Sequence, residues 1–288
     1  MALVFQDIQI HGAHKEADFA LGWMCPIYKK KDRTEVCNYR LVMLMNTDYK
    51  ILTKVMALQL LENLYWMVYN DQTGFVLKHS IFNNIRLARA IIDHVEATEK
   101  DGTIVALDQE KAYDKIKHDY LWKTLEEFGV PQPFIKTAKE LYKYAFTNVV
   151  VNGCISKTFR VTRGVQQGDP LSCALFNLAI EPLACHIRED ADLRGLEILT
   201  IEKKLIINLY ADNTCLSLSK NNNMDHMQEI LDKWCGASGV KSNTEKTKII
   251  PIGTREYRAR MVETRRVNQE ERALLDAKIK IAKDKEAI

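Results

Sequence analysis

Two apolar runs around a short polar turn constrain this chain more than any other feature. They are Leu205-Ile-Ile-Asn-Leu-Tyr210, then Ala211-Asp212-Asn213, then the alternating Thr214-Cys-Leu-Ser-Leu-Ser219. Short apolar stretches bounded by turn formers read as paired strands, and Asp and Asn accept the backbone angles of a tight turn. The segment predicts a β-hairpin with Asp212 near its tip. A further short buried strand, Thr103-Ile-Val-Ala-Leu107, follows the turn pair Asp101-Gly102 and ends at Asp108. One sheet holding these strands can bring Asp108 and Asp212 to the same edge.

Residues 24–54 open with Lys29-Lys30-Lys31-Asp32-Arg33 and then read as irregular, weakly apolar chain. A long, mostly apolar helix is predicted from Tyr49 to Tyr69. A second starts at Ser80, a good N-cap, with Ile81, Ile85, Ala88, Ile92 and Val95 on one face. After Asp108, helical spacing of Ala112, Tyr113, Ile116, Tyr120, Leu121, Leu125 and Phe128 runs up to the stop signals Gly129 and Pro131. A helix around Pro133 to Tyr144 leads to the strand Thr147–Val151, and Asn152-Gly153 turns it back through Phe159 and Val161. Leu171 to Ile187 reads as a buried helix, Met224 to Ala237 as another, and Thr247 to Ile252 as a strand. From Arg255 the mixed charges read as a solvated helix or a frayed end. This order predicts an α+β fold, with helices on one face of an antiparallel sheet.

Composition narrows the class. The chain has 288 residues, 47% hydrophobic and 27% charged, with a net charge of +3; that suits a globular protein and permits a nucleic-acid partner without demanding one. No apolar run approaches the ~20 residues of a membrane span, and the N-terminus does not read as a secretion signal. The seven cysteines lack zinc-site spacing and read as reduced residues of an intracellular protein.

On spacing alone, Asp212 reads as a turn former and Asp108 as a helix N-cap. Two carboxylates brought close repel each other unless a cation neutralises them, and paired divalent ions ~3.5–4 Å apart are the usual solution in nucleotidyl transfer. Three segments decide between these readings. Ala106-Leu-Asp-Gln-Glu-Lys-Ala-Tyr-Asp-Lys115, Arg163-Gly-Val-Gln-Gln-Gly-Asp-Pro-Leu-Ser172 and Asn208-Leu-Tyr-Ala-Asp-Asn213 are similar, in order, to motifs A, B and C of reverse transcriptases from non-LTR (LINE-type) retrotransposons. Tyr28-Lys-Lys-Lys-Asp32, Asn38-Tyr-Arg40 and Gln72-Thr-Gly-Phe75 resemble the family's fingers motifs. Ser238-Gly-Val-Lys-Ser-Asn-Thr-Glu-Lys-Thr247 resembles motif D. The resemblance runs from about Gly22 to Ile252.

It implies the fingers and palm of a right-hand polymerase, with an antiparallel palm sheet. Fingers would occupy 1–95, a palm with an interleaved fingers segment 96–253, and a charged tail opening the post-palm region 254–288. The implied activity is RNA-directed DNA polymerisation on an RNA template and DNA primer with dNTP substrates. Asp108 and Asp212, helped by the carbonyl of Gln109, would hold Mg²⁺ (or Mn²⁺). Tyr113 would crowd a ribose 2′-hydroxyl; Gln167 and Gly168 would lie beneath the incoming nucleotide. Lys30, Lys31 and Arg40 would grip its triphosphate, and Lys246 would protonate pyrophosphate. Family members act on nuclear DNA, and no membrane role is implied.

Several positions depart from the pattern. Asn213 stands where the family has a second catalytic Asp, which removes one negative charge and implies a large loss of rate. Leu77-Lys78-His79 replaces Pro-Gly-Arg, Leu41 replaces Pro, and Lys280 and Lys285 stand where His and Gly are expected. By the same resemblance, a thumb is expected to be missing. Two other readings therefore stay open: a remnant that binds RNA or an RNA–DNA duplex without catalysis, and a different metal-dependent phosphotransferase.

Overall fold

The structure is a computed structural model that describes residues 2–13, 18–196, 204–267 and 275–282. The chain divides into two compact units, 1–67 with 113–179 and 68–112 with 180–288.

In the first unit a short helix α1 (Ala2–His11) precedes strands β1 (Leu21–Tyr28) and β2 (Tyr39–Met45) and the long helix α2 (Thr47–Met67). The two strands form a regular antiparallel hairpin, from Tyr28 opposite Tyr39 to Gly22 opposite Met45. This corrects the irregular reading of residues 24–54. The hairpin escaped the sequence pattern because it is half-solvated, with Trp23 and Ile27 exposed, and because Pro26 lies within β1. The proline is tolerated because the parallel pairing of β1 with β4 (Phe146–Val151) covers only Leu21 to Met24; a residue without an N–H fits where one edge of the strand is open. β4 also pairs with the short strands β5 (Cys154–Ile155) and β6 (Phe159–Arg160).

The helical spacing after Asp108 does not make one helix. It breaks into α4 (Ala112–Lys115) and α5 (His118–Glu127), because the loop at 163–165 takes one carbonyl within α4 and one just after it. Gly164 N–H donates to Ile116 at 2.7 Å and Val165 N–H to Tyr113 at 2.7 Å. Gly129, at φ 71, turns the chain into α6 (Gln132–Lys143). The helix α7 (Ser172–Glu189) passes from the first unit into the second at Ala179.

The second unit is built on a five-stranded sheet. In spatial order it runs β10 (Lys280–Ile281), β9 (Lys248–Ile252), β3 (Gly102–Leu107), β8 (Asn213–Ser219), β7 (Ile207–Tyr210). β3 is central, antiparallel to β8 and β9 over almost its whole length. Ile104, Ile250 and Ile252 pack with Ile91, Ile92 and Val95 of α3 (Ile81–Ala97), the helix that Ser80 caps by accepting from the Phe82 N–H. Burying such side chains contributes about 1.5–3 kcal/mol each. Helix α8 (Met224–Ser238) is capped by Asn223 and ends at Gly239.

Part of the charged segment after Arg255 is more ordered than expected. α9 (Arg255–Thr264) buries Tyr257 and Met261, the tyrosine hydroxyl lies 2.8 Å from Thr103 Oγ1, and β10 pairs in parallel with β9. Lys280 sits opposite Lys248 in that pairing; Lys285 lies outside the described residues. Among the described residues no helix is long and apolar enough to cross a membrane, and all seven cysteines are free thiols.

Candidate active site

Asp108 directly follows Leu107, which pairs with Thr214 across the β3–β8 ladder. Asp212 lies two residues before Thr214, in a two-residue turn closed by the Tyr210–Asn213 pair. One edge of the sheet therefore carries both aspartates. Tertiary pairing does what spacing could not, because Asp108 and Asp212 are 104 residues apart in the chain.

The backbone around Asp108 is held from one side by the segment before β9. Asn243 N–H donates to the Asp108 carbonyl at 2.8 Å, Glu110 N–H donates to Lys241, and Gln109 bridges Ser242. Asp108 Oδ2 is closed off from solvent yet accepts no hydrogen bond. Lys246 Nζ stands 3.7 Å from that oxygen, on an exposed side chain. A buried carboxylate oxygen without a donor costs free energy unless a positive charge faces it. The donor set is hard oxygen, which suits Mg²⁺ or Mn²⁺. Asn213 is exposed, and its Nδ2 donates to the Tyr210 carbonyl at 3.4 Å, a bond a carboxylate could not make.

The turn itself is supported by a neighbouring strand-like segment. Ala211 has φ 55, in the left-handed region that disfavours residues with a Cβ. Its N–H donates to Gln72 Oε1 at 3.1 Å, and the same oxygen accepts from Gly74 N–H at 3.0 Å. Lys78, standing where the family has Gly, also takes a left-handed φ of 66, so the sequence departure carries real backbone strain. His79, in place of Arg, bonds the Gln72 carbonyl through Nδ1 at 2.6 Å.

The other expected site residues lie in the first unit. Lys30 and Lys31 are exposed at the tip of the β1–β2 hairpin, and Arg40 sits opposite Ile27, one pair in from the loop. The loop is organised by Asp32, which accepts from Thr34, and by Tyr28 OH donating to the Lys31 carbonyl at 2.6 Å. Tyr113 stacks on the fully buried Phe176 with centroids 4.3 Å apart, which fixes its ring. Gln167 donates through Nε2 to Asp114 at 3.1 Å, and its carbonyl accepts from Met43 N–H at 2.7 Å. Gly168, at φ 117, lies so close to the Met43 carbonyl that no Cβ fits. A cavity of about 120 Å³ opens beside this loop, lined by Met24, Leu41, Met43, Asp114 and Arg163 among others.

Three supporting residues were not singled out from sequence. Asp114 holds Gln167; its signal was an acidic residue one position after the tyrosine of motif A. Asp169, beneath the same loop, is 4% exposed and accepts from Leu171 N–H; burial raises its pKa to about 6. Gln72 lies within a recognised motif, yet nothing local reveals that its side chain reaches residue 211.

Among the described residues, Asp190, Asp192 and His226 also have metal-like proximity, within 4.8 Å. Asp190 there accepts from the Asp192 and Leu193 N–H groups and bonds His226 at 2.9 Å, which closes a loop.

Solved structures with the same architecture include the telomerase of Candida tropicalis. Its apo form matches at a TM-score of 0.58 with 12% identity, over 85% of this chain and 46% of that one. The form in complex with a fragment of telomeric RNA matches at 0.56 with 14% identity, over 81% and 41%. The fold is thus that of a right-hand polymerase, fingers and palm, with the two aspartates on the palm sheet. The family model for reverse transcriptase (RNA-dependent DNA polymerase) matches residues 28–271, and the chain belongs to that family. Its curated relatives are retrotransposon proteins. A 149 kDa protein of transposon TX1 from Xenopus laevis is 33% identical over 219 residues, 76% of this chain and 17% of its own length. The Pol polyprotein of the element R2DM from Drosophila melanogaster is 30% identical over 132 residues, 46% of this chain and 12% of its own length. The chain thus spans less than a fifth of either relative. Nucleotidyl transfer in this family generally uses divalent metal.

Proposed function

We propose that this chain carries out the nucleotidyl-transfer step of a non-LTR retrotransposon reverse transcriptase, extending a DNA primer on an RNA template. The observation that carries the reading is the sheet edge: Asp108 and Asp212 brought together by β3, β8 and the hairpin turn, with a buried Asp108 oxygen that has no donor. Asp108, Asp212 and the Gln109 carbonyl would hold Mg²⁺ or Mn²⁺. The ions, when bound, supply Lewis acidity toward the primer hydroxyl and the phosphate oxygens.

Each remaining role belongs to a side chain. Lys246 lies against Asp108 and would pass a proton to the leaving pyrophosphate. Tyr113, immobilised on Phe176, would reject a 2′-hydroxyl by steric exclusion. Gln167 and Gly168 would present backbone to the incoming nucleotide, with Asp114 and Met43 fixing the loop. Lys30, Lys31 and Arg40 would bind the triphosphate, Arg40 by its planar fork. Asn213 supplies shape without charge, so catalysis should be slow. The site of action would be nuclear DNA.

Primer extension on an RNA template with Mn²⁺ tests this reading. Weak product is expected from the parent chain, none from Asp108→Ala, and increased ribonucleotide incorporation from Tyr113→Ala. Extension that survives Asp108→Ala would sink the assignment. Failure of every variant to extend, with RNA–DNA duplex binding retained, would instead support the second reading, a duplex-binding remnant; the Asn213 side chain bonded to its own hairpin favours that reading more than any other observation.

A further inference from the structure

We infer that Gln72 is a positioning residue for the Asp212 turn, holding that carboxylate in register with Asp108; this rests on the metal-binding reading of the two aspartates. Gln72 has no exposed surface. Its Oε1 accepts from two backbone N–H groups, Gly74 at 3.0 Å and Ala211 at 3.1 Å. Both donors face one atom, so the oxygen must point there, and Nε2 is left buried without a partner. A buried amide nitrogen with no acceptor is a net cost. That cost fits a side chain placed for its oxygen.

The oxygen is aimed at the one residue of the turn with a left-handed backbone. Ala211 at φ 55 is strained by roughly 1–2 kcal/mol relative to ordinary angles, and its N–H is the group that Gln72 binds. The next residue is Asp212. Relaxation of Ala211 would re-aim the Asp212 carboxylate, because the two residues make up the hairpin turn and a backbone change at the first swings the second.

The segment that bears Gln72 is itself locked to the hairpin and to a helix. Leu209 N–H donates to the Asp71 carbonyl at 2.9 Å, and Thr73 N–H donates to the Leu209 carbonyl at 2.9 Å, a parallel bridge alongside β7. Asn84 Nδ2 adds a bond to Leu209 at 2.9 Å. Gly74 must be glycine, because a Cβ there would enter the Ala211 amide and the Tyr210 carbonyl carbon. Asp71 is gripped by the Arg188 fork, Nε to Oδ2 at 2.8 Å and NH2 to Oδ1 at 2.6 Å. Arg188 also bonds the fully buried Glu181 at 2.9 Å and lies over the Tyr69 ring. A continuous set of charge-assisted and backbone bonds therefore runs from α7 through residues 71–74 to the turn.

Such second-layer support is what fixes a metal ligand's geometry, and its loss typically costs about 10–100-fold in metal affinity or activity. The test uses terbium(III) as the probe on the full chain, read by luminescence sensitised by the neighbouring Tyr210, with circular dichroism melting as a folding control. Asp108→Ala should abolish the signal. Gln72→Met, which keeps shape and loses the acceptor, should weaken terbium binding by about tenfold or more. Gln72→Glu, which restores an acceptor oxygen, should bind at or above the parent level. A role in stability alone would lower the melting temperature and leave the terbium affinity of the folded chain unchanged; that outcome overturns the inference, as does Gln72→Glu being as impaired as Gln72→Met. Should Gln72→Met not fold, Gly74→Ala makes the same test by pressing on the Ala211 amide, with weakened binding expected and unchanged binding contradicting it. Terbium binding that survives Asp108→Ala would refute the metal-site reading instead, so the two failures are told apart.

Discussion

The two sheets bury their strands very differently. β3 in the second unit is buried from Gly102 through Val105 and pairs on both sides. β1 in the first unit leaves Trp23 and Ile27 exposed and pairs with β4 over only four residues. The contrast follows the proposed work of each. Carboxylates that share metal ions need a fixed platform, because small misplacement is costly. A hairpin whose lysines would meet a diffusing triphosphate needs solvent and reach, and exposure supplies both.

Mutations should widen this contrast in a graded way. Arg188→Ala leaves Glu181 buried with its counter-charge gone and should cost about 3–5 kcal/mol by denaturant unfolding. An equal loss from Arg33→Ala, which removes only an exposed contact over Tyr28, would erase the distinction. Ile104→Ala in β3 should cost about 2–5 kcal/mol, whereas Ile27→Ala in β1 should stay within about 0.5 kcal/mol.

Buried carboxyls give both units a pH dependence of the same sign. Burial raises Glu181 to about 7, outweighing the attraction of Arg188, and raises Asp169 to about 6. The folded chain thus holds these protons more tightly than the unfolded chain does. The cost is absent below the ordinary carboxyl range, grows as pH rises toward about 6 for Asp169 and about 7 for Glu181, and is complete above. Each group should lower unfolding free energy across its window by on the order of 3 kcal/mol. Glu181→Gln should flatten the upper part of that decline and Asp169→Asn the lower part; melts across the range check both. One further effect has the opposite sign. Lys78→Gly relieves a left-handed φ and should stabilise the chain by about 1 kcal/mol; no gain would show that the loop relaxes without it.

What could be read from sequence tracks the same contrast. The β3 strand, the Asp212 hairpin and α3 follow hydrophobic period and turn chemistry, because one side of each is committed to a core. The β1–β2 hairpin leaves no such signal, because Pro26 and the exposed Trp23 and Ile27 blur the alternation. The break between α4 and α5 has no sequence signal either, because tertiary bonds from residues 164 and 165 to carbonyls there override a continuous helical pattern. α9 reads from sequence as a solvated helix or a frayed end; it is a helix, and of its residues only Tyr257 and Met261 are buried. At the site, motif order identified the family and pointed to Asp108, Asp212, Tyr113 and Gln167. It said nothing of the Gln72–Ala211 bond, because a side chain reaching across 139 positions leaves no local signature.

Asp108 and Asp212 are proposed to form a metal-dependent polymerase site weakened by Asn213. The most direct measurement is primer extension on an RNA template by the parent chain, Asn213→Asp, and Asn213→Asp combined with Asp108→Ala. Asn213→Asp should raise the extension rate, since the added carboxylate outweighs the loss of a 3.4 Å hydrogen bond to Tyr210, and the double variant should lose all of it. A gain that persists without Asp108 would contradict the account.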